Sequence, residues 1–193
     1  MLKDLLKKNR SYRGYDESVS VSRETLKELV DCTRYTASSI NKQPFQYYLA
    51  SDPETVGKIQ PLTGWAAALR PMVLPHAGHC PTAFIVVCQN LERADSIPTF
   101  QRDVGVAAQT ILLAAVEKGL GGCMIGNFSP EKIAAALNLP EKVVPLLVIA
   151  IGKPDETVVL TNVGADGKVT YYRDENDVHY VPKRSLDDLI INS

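Results

Sequence analysis

The run from Asp103 to Lys118 constrains the fold more than any other part of this 193-residue chain. Wound as a helix, it carries Ala, Val, Ile and Leu on nearly every side and offers water no broad polar face. It reads as a buried core helix, which needs apolar elements around it. Two runs qualify. Thr82 to Cys88 and Val144 to Ile151 are nearly unbroken apolar stretches of strand length, the pattern of strands covered on both faces. A single domain over 1–193 is therefore expected, because two cores would be cramped at this length.

The remaining elements follow from periodicity and punctuation. Leu2, Leu5 and Leu6 share one face of a first helix over Leu2 to Lys8. Ser22 is placed to cap a second, with a stripe of Leu26, Leu29, Val30 and Thr33. Phe45 to Ala50 reads as a strand, and Asp52-Pro53 opens a third helix with proline in its first turn. Gly64 to Pro81, with Pro71, Pro75, His76 and His79, reads as an irregular loop of the functional or mobile kind. Gly119-Leu120-Gly121-Gly122 ends the core helix, Cys123 to Ile125 is a short strand, and Ser129-Pro130-Glu131-Lys132 starts another helix. Past Pro154 the chain turns polar. Val158 to Val163 and Lys168 to Tyr172 read as a hairpin around Asp166-Gly167, and a last short helix is expected from Ser185. Helices and strands mix without regular alternation, which favours an α+β domain with a central sheet wrapped by helices. The segment from about residue 155 to 193 looks too polar for a core of its own. It is expected to lie along another surface, with a partner subunit the natural candidate.

Several function classes lack their signals. Net charge is −1, with no basic face for nucleic acid. No apolar run approaches the roughly 18 residues of a membrane span. Cys32, Cys80, Cys88 and Cys123 are widely spaced with no CxxC pair, which fits reduced thiols. The first residues are charged and lack a long apolar run, so no secretory signal is expected and the cytoplasm is the expected compartment. There is no GxGxxG after a strand, no GxxxxGK and no GxSxG. His76, His79 and Cys80 lie close together as potential metal donors, but no matching ligand pair stands elsewhere, and no metal site is expected.

What remains are anion-binding and amide-rich segments. Arg10-Ser11-Tyr12-Arg13 sets two guanidinium groups and a serine hydroxyl in four residues, enough to hold a phosphate through charge-assisted bonds. Taken alone it reads as a solvated basic turn before it reads as a site. Ser38-Ser39-Ile40-Asn41-Lys42-Gln43-Pro44 offers amide donors and acceptors that suit the edge of a flat heterocycle, and is also an ordinary polar loop. Gly121-Gly122 and Gly126-Asn127 permit close backbone approach to a ligand, or simply make turns. Lys183-Arg184 would complete a phosphate site or lie on the surface.

Their order is more specific than any one of them. Arg-Ser-x-Arg comes first, then Ser-Ser-x-Asn-x-Gln-Pro, and a buried Ala-rich helix from Asp103-Val104-Gly105. After these come Gly-Leu-Gly, Ile125-Gly126-Asn127-Phe128, a strand ending Ile151-Gly152-Lys153-Pro154, and Lys183-Arg184. Over nearly the whole chain this series resembles the nitroreductase family of FMN enzymes. The resemblance implies a nitroreductase-like α/β sandwich with a central, mostly antiparallel sheet wrapped by helices. It implies an intertwined homodimer with FMN at the interface, and NADH or NADPH as co-substrate. It assigns Arg10 and Ser11 to the flavin phosphate, with Lys183 or Arg184 closing on it, and Arg13 to the ring near N1 and O2. Ser38, Ser39 and Asn41, with Gln43 beside them, are to arrive from the other subunit, and Ile125, Gly126 and Asn127 to lie by N5. The family's usual Trp after Gln-Pro is Phe45 here. The implied reaction is ping-pong hydride transfer from NAD(P)H through flavin N5 to nitroaromatics, quinones or similar acceptors, with no catalytic side chain required. Alternatives on the same fold are a specialised dehydrogenase or dehalogenase, or a non-catalytic flavin-binding or redox-sensing dimer.

Overall fold

In the computed structural model, which describes residues 1–192, the core helix starts earlier than its apolar run. It spans Ile97–Glu117, with proline in its first turn, and buries Phe100, Asp103 and Val104 before the Ala-rich stretch begins. It is α4 in chain order, after α1 (Leu2–Lys8), α2 (Arg23–Asp31) and α3 (Pro53–Ile59), and before α5 (Pro130–Ala136). Ser22 caps α2, its side chain accepting from the Thr25 N–H, and Asp52 caps α3 in the same way. One strip of α4, containing Gly105 and Val106, is exposed, so burial is less complete than its composition implies.

The main sheet is antiparallel throughout. Its strands are β1 (Phe45–Ala50), β2 (Ala83–Asn90), β3 (Gly121–Ile125) and β4 (Val143–Gly152), in the order β1-β2-β4-β3. Val86 pairs with Val148, and Cys123 with Ala150. Alternation along β2 and β4 feeds two cores. Ile85, Val87, Ile149 and Ile151 pack with Leu26 and Leu29 of α2 and Ile111 and Ala115 of α4. Phe84, Val86, Val148 and Ala150 pack on the other face with Ile59 of α3 and Ile133 of α5. Both faces of the central strands are covered, which is why these runs show no polar alternation.

The segment after α1 lies along the free edge of β3. Ser11 bridges Gly122 in parallel, the Tyr12 N–H donates to Gly122 O at 3.1 Å, and Tyr15 bridges Pro154. Gly121 and Gly122 serve this packing. A Cβ on Gly121 would lie 2.5 Å from the Tyr12 ring, and one on Gly122 would lie 2.2 Å from Ala150 O. The close approach expected of a ligand there is taken up by the chain itself.

Beyond Pro154, β5 (Val158–Asn162), β6 (Tyr172–Arg173) and β7 (His179–Lys183) form a small sheet in the order β5-β7-β6. The expected hairpin around Asp166-Gly167 does not form. Gly167 makes a turn at φ +69°, but β5 pairs in parallel with β7. The hairpin is instead β6–β7, closed by Asp174, whose Oδ1 accepts from the Asn176 and Val178 N–H groups. Stacking of Tyr172 on Tyr180, with ring centroids 5.0 Å apart, reinforces it. The short helix expected from Ser185 is a single 3-10 turn, Asp187–Leu189. No helix of the described residues is long and apolar enough to cross a membrane.

Candidate functional site

A cleft of about 350 Å³ opens between the Asn9–Arg13 segment, α4, β3 and β7. Arg10, Ser11, Arg13 and Lys183 line it, with Gln109 and Leu112 from α4 and Met124 from β3. No acidic side chain does. Arg10 is anchored by Nη2 donating to Leu6 O at 2.6 Å, while its Nε is buried without a partner. A buried guanidinium N–H left unpaired is costly, and an anion in the cleft would satisfy it. Arg184, next to Lys183, is exposed and lies outside the cleft.

Arg13 is fixed by groups from the C-terminal sheet. Its Nη1 donates to Ser11 O at 3.0 Å and lies 3.1 Å from His179 Nε2, and its Cζ sits 4.8 Å from the Tyr171 ring centroid. Its backbone N–H donates to Glu156, whose carboxylate also pairs with Arg173. Arg173 in turn meets Asp177 at 2.7 Å. Burial, then the charges of Arg13 and Arg173, push His179 down to about 4. Burial pushes the Glu156 carboxyl up against the opposing pull of the Arg13 N–H and Arg173.

The Ser38–Gln43 loop forms a separate cluster. Ser38, Asn41 and Gln43 line a cleft of about 210 Å³ with Asp103 of α4. Asp103 accepts from the Ser39 N–H at 2.6 Å and from the hydroxyls of Ser39 and Ser38 at 2.7 and 3.1 Å. Burial works against its charge, but these bonds outweigh that and hold it below the ordinary carboxylate value. The pinned loop takes left-handed backbone at Ile40, Asn41 and Gln43, with φ of 49, 54 and 48°. That conformation is strained for a β-branched residue, and Ile40 is also 86% exposed. The two clusters share α4. Gln109 faces the first cleft and Ala107 the second, roughly 200° apart around the helix. Within one chain they therefore do not meet.

Ile125 is buried among core residues, and its neighbour Met124 faces the first cleft instead. Gly126 and Asn127 follow at the end of β3, exposed and outside both clefts, and Gly126 faces open space. Asn127 O accepts from the Gly64 N–H at 2.7 Å, which anchors the start of the irregular loop. The loop's histidines reach carboxylates, His76 to Asp177 at 3.4 Å and His79 to Asp155 at 3.0 Å. Among the described residues no cluster of His, Cys, Asp and Glu is arranged to hold a metal ion. Gln109, Met124, Tyr171 and His179 were not singled out from the sequence. Gln109 alone left a trace there, as a lone amide in an apolar helix.

The Nitroreductase family model matches residues 6–153. The chain belongs to the nitroreductase family. Among its relatives is a protein named Cr(VI) reductase from Pseudomonas sp. (strain G-1), 30% identical over 167 residues, covering 80% of this chain and 67% of that one. Another, from Bacillus subtilis (strain 168), is named FMN reductase [NAD(P)H]. It is 28% identical over 166 residues, covering 76% of this chain and 63% of the relative. Among solved structures, an FMN-dependent nitroreductase from Clostridium difficile R20291 superposes with a TM-score of 0.63 at 25% identity, over 79% of this chain and 87% of that one. The antiparallel sheet wrapped by helices is the α+β fold expected of the family.

Proposed function

We propose that this chain is an FMN-dependent NAD(P)H oxidoreductase that works as a homodimer in the cytoplasm and reduces nitroaromatics, quinones or similar acceptors. One observation carries the reading: a cleft lined by three cations and no acid, with the buried Nε of Arg10 awaiting an acceptor. Such a donor set fits a dianionic phosphate. FMN, when bound, supplies hydride transfer at N5 between the nicotinamide and the acceptor in ping-pong fashion.

The chain's own residues bind, orient and stabilise. Arg10 and Ser11 hold the phosphate, with Lys183 closing on it. Arg184 is left to the surface. Arg13 would set its charge against the ring's pyrimidine side and stabilise the negative charge that reduction brings there. Leu112 and Met124 give the cleft an apolar wall. Gly126 and Asn127, outside the cleft at the end of β3, would offer backbone to a ring that extends past Met124. Asn41 and Gln43 bring amides from the partner subunit. Ser38 and Ser39, whose hydroxyls are already committed to Asp103, contribute chiefly the loop's shape. The exposed strip of α4 with Val106, and the tail with Leu186 at 70% and Leu189 at 67% exposure, supply apolar surface for the dimer.

Steady-state oxidation of NADH and NADPH against a panel of nitroaromatics, quinones and halogenated phenols tests the reading. Parallel double-reciprocal lines are expected with nitroaromatics or quinones. A purified protein that takes up no FMN would overturn it, as would flavin-loaded protein that turns over none of these acceptors.

A further inference from the structure

The contacts behind Arg13 point to a role for His179 that no motif announced. A guanidinium has only donors, so the 3.1 Å contact with Arg13 Nη1 requires His179 Nε2 to present a lone pair. The imidazole is then neutral, with its proton on Nδ1. His179 is 1% exposed, and its Nδ1 has no partner. The charged and titratable groups around it come from every element packed there. They are Arg13 from the N-terminal segment, Arg173 from β6, Asp177 from the β6–β7 turn, Glu156 after β4, and Tyr171, whose ring centroid is 5.3 Å away. A protonated ring would add a buried cation beside half-buried Arg13 and buried Arg173, with an unpaired N–H facing a guanidinium. Meanwhile the contacts to Ser11 O and His179 both use Nη1, so Nη2 and Nε of Arg13 remain available to a ligand.

We propose that His179, as the neutral Nδ1–H tautomer, is a positioning residue that accepts from Arg13 Nη1 and fixes the guanidinium for the flavin. Glu156 holds the Arg13 backbone from the other side, so the small C-terminal sheet sets the pose of a residue near the N-terminus. The role at the flavin rests on the oxidoreductase reading above, whereas the tautomer does not.

The test uses the full chain, with and without FMN. Nitrogen NMR of the FMN-free protein is expected to show Nδ1 of His179 protonated and Nε2 bare from about pH 8 down to about pH 5. An Nε2–H tautomer, or a doubly protonated ring in that range, would overturn the contact. In FMN-loaded protein, His179→Leu keeps bulk but removes the acceptor. It is expected to weaken FMN binding about tenfold and to lower the flavin's midpoint potential. His179→Gln, whose Oε1 can accept, is expected to recover most of both. A merely structural histidine would change melting temperature while leaving affinity and potential unmoved, and that result would overturn the proposal. If His179→Leu fails to fold, a folded H179Q protein whose FMN affinity falls as far as tenfold, or whose flavin potential drops below wild type, would likewise overturn the proposal. Wild-type protein that binds no FMN would sink the oxidoreductase reading, while the tautomer would still decide the Arg13 contact.

Discussion

In the proposed oxidoreductase Arg13 is the residue on which the chemistry turns, and its surroundings define what its loss does. Replacing it with alanine removes a charge from the N1 edge and is expected to lower the two-electron midpoint potential by ~30–60 mV, each 30 mV being about 1.4 kcal/mol. Spectroelectrochemical titration against dyes of known potential checks it, and an unchanged potential would contradict the role. His179 adds a pH dependence. Its folded-state value is depressed from 6.5 to about 4, so between those values the unfolded chain takes up a proton that the folded chain refuses. The stability tied to the neutral ring is present above pH 6.5 and is lost as pH falls, by up to about 1.4 kcal/mol per pH unit. Urea midpoints at pH 7 and 5.5 are expected to differ less for His179→Gln than for wild type. At this scale the site was half legible. Arg10, Ser11 and Arg13 lie within four residues, and their place at the head of the motif series marks them as a candidate anion site. Glu156 and His179 reach Arg13 from 143 and 166 residues away, and a lone histidine in a polar tail carries no local signal.

Among the elements, α4 organises the molecule. One face packs on the sheet through Ile111, another carries Gln109 into the Arg10–Arg13 cleft, and Asp103 near its start shapes the Ser38–Gln43 loop. Asp103→Ala would strand the Ser39 N–H and is expected to cost about 1–3 kcal/mol. It should also release the left-handed backbone at Ile40, visible as faster amide exchange confined to residues 38–43. Gly122→Ala would drive a Cβ to within 2.2 Å of Ala150 O and 2.6 Å of Leu112. The expected loss is about 1–3 kcal/mol or more in a thermal melt, because neither the backbone carbonyl nor the packed leucine can yield cheaply. Wild-type stability in this variant would contradict the packing. α1 and β1 fall on the residues expected of them, bounded by Asn9 in one case and by Pro44 and Asp52-Pro53 in the other. The C-terminal hairpin was misplaced for an equally physical reason. Period-two alternation marks a strand but does not name its partner, and Asp174 closes the β6–β7 reversal while Asp166-Gly167 turns within the β5–β6 connection.

For the whole molecule, the separation of the two clusters by α4 is the telling feature. The family resemblance implies that Ser38–Gln43 reach the site from the other subunit, and in a single chain Arg10–Arg13 and Ser38–Gln43 line different clefts on opposite sides of α4. A second copy is the proposed remedy, and mixed dimers examine it. Chains carrying Arg10→Glu and chains carrying Asn41→Asp with Gln43→Glu are expected each to bind FMN poorly. Refolded together, they should regain about a quarter of the wild-type sites, since half the dimers are mixed and each mixed dimer has one intact site. The most direct test of the central claim is an anaerobic titration of the FMN-loaded protein with NADH and with NADPH, followed through the flavin's visible absorption. The expected result is stoichiometric bleaching by at least one of the two. Absorption that persists in excess of both nucleotides would contradict an NAD(P)H-dependent flavin oxidoreductase.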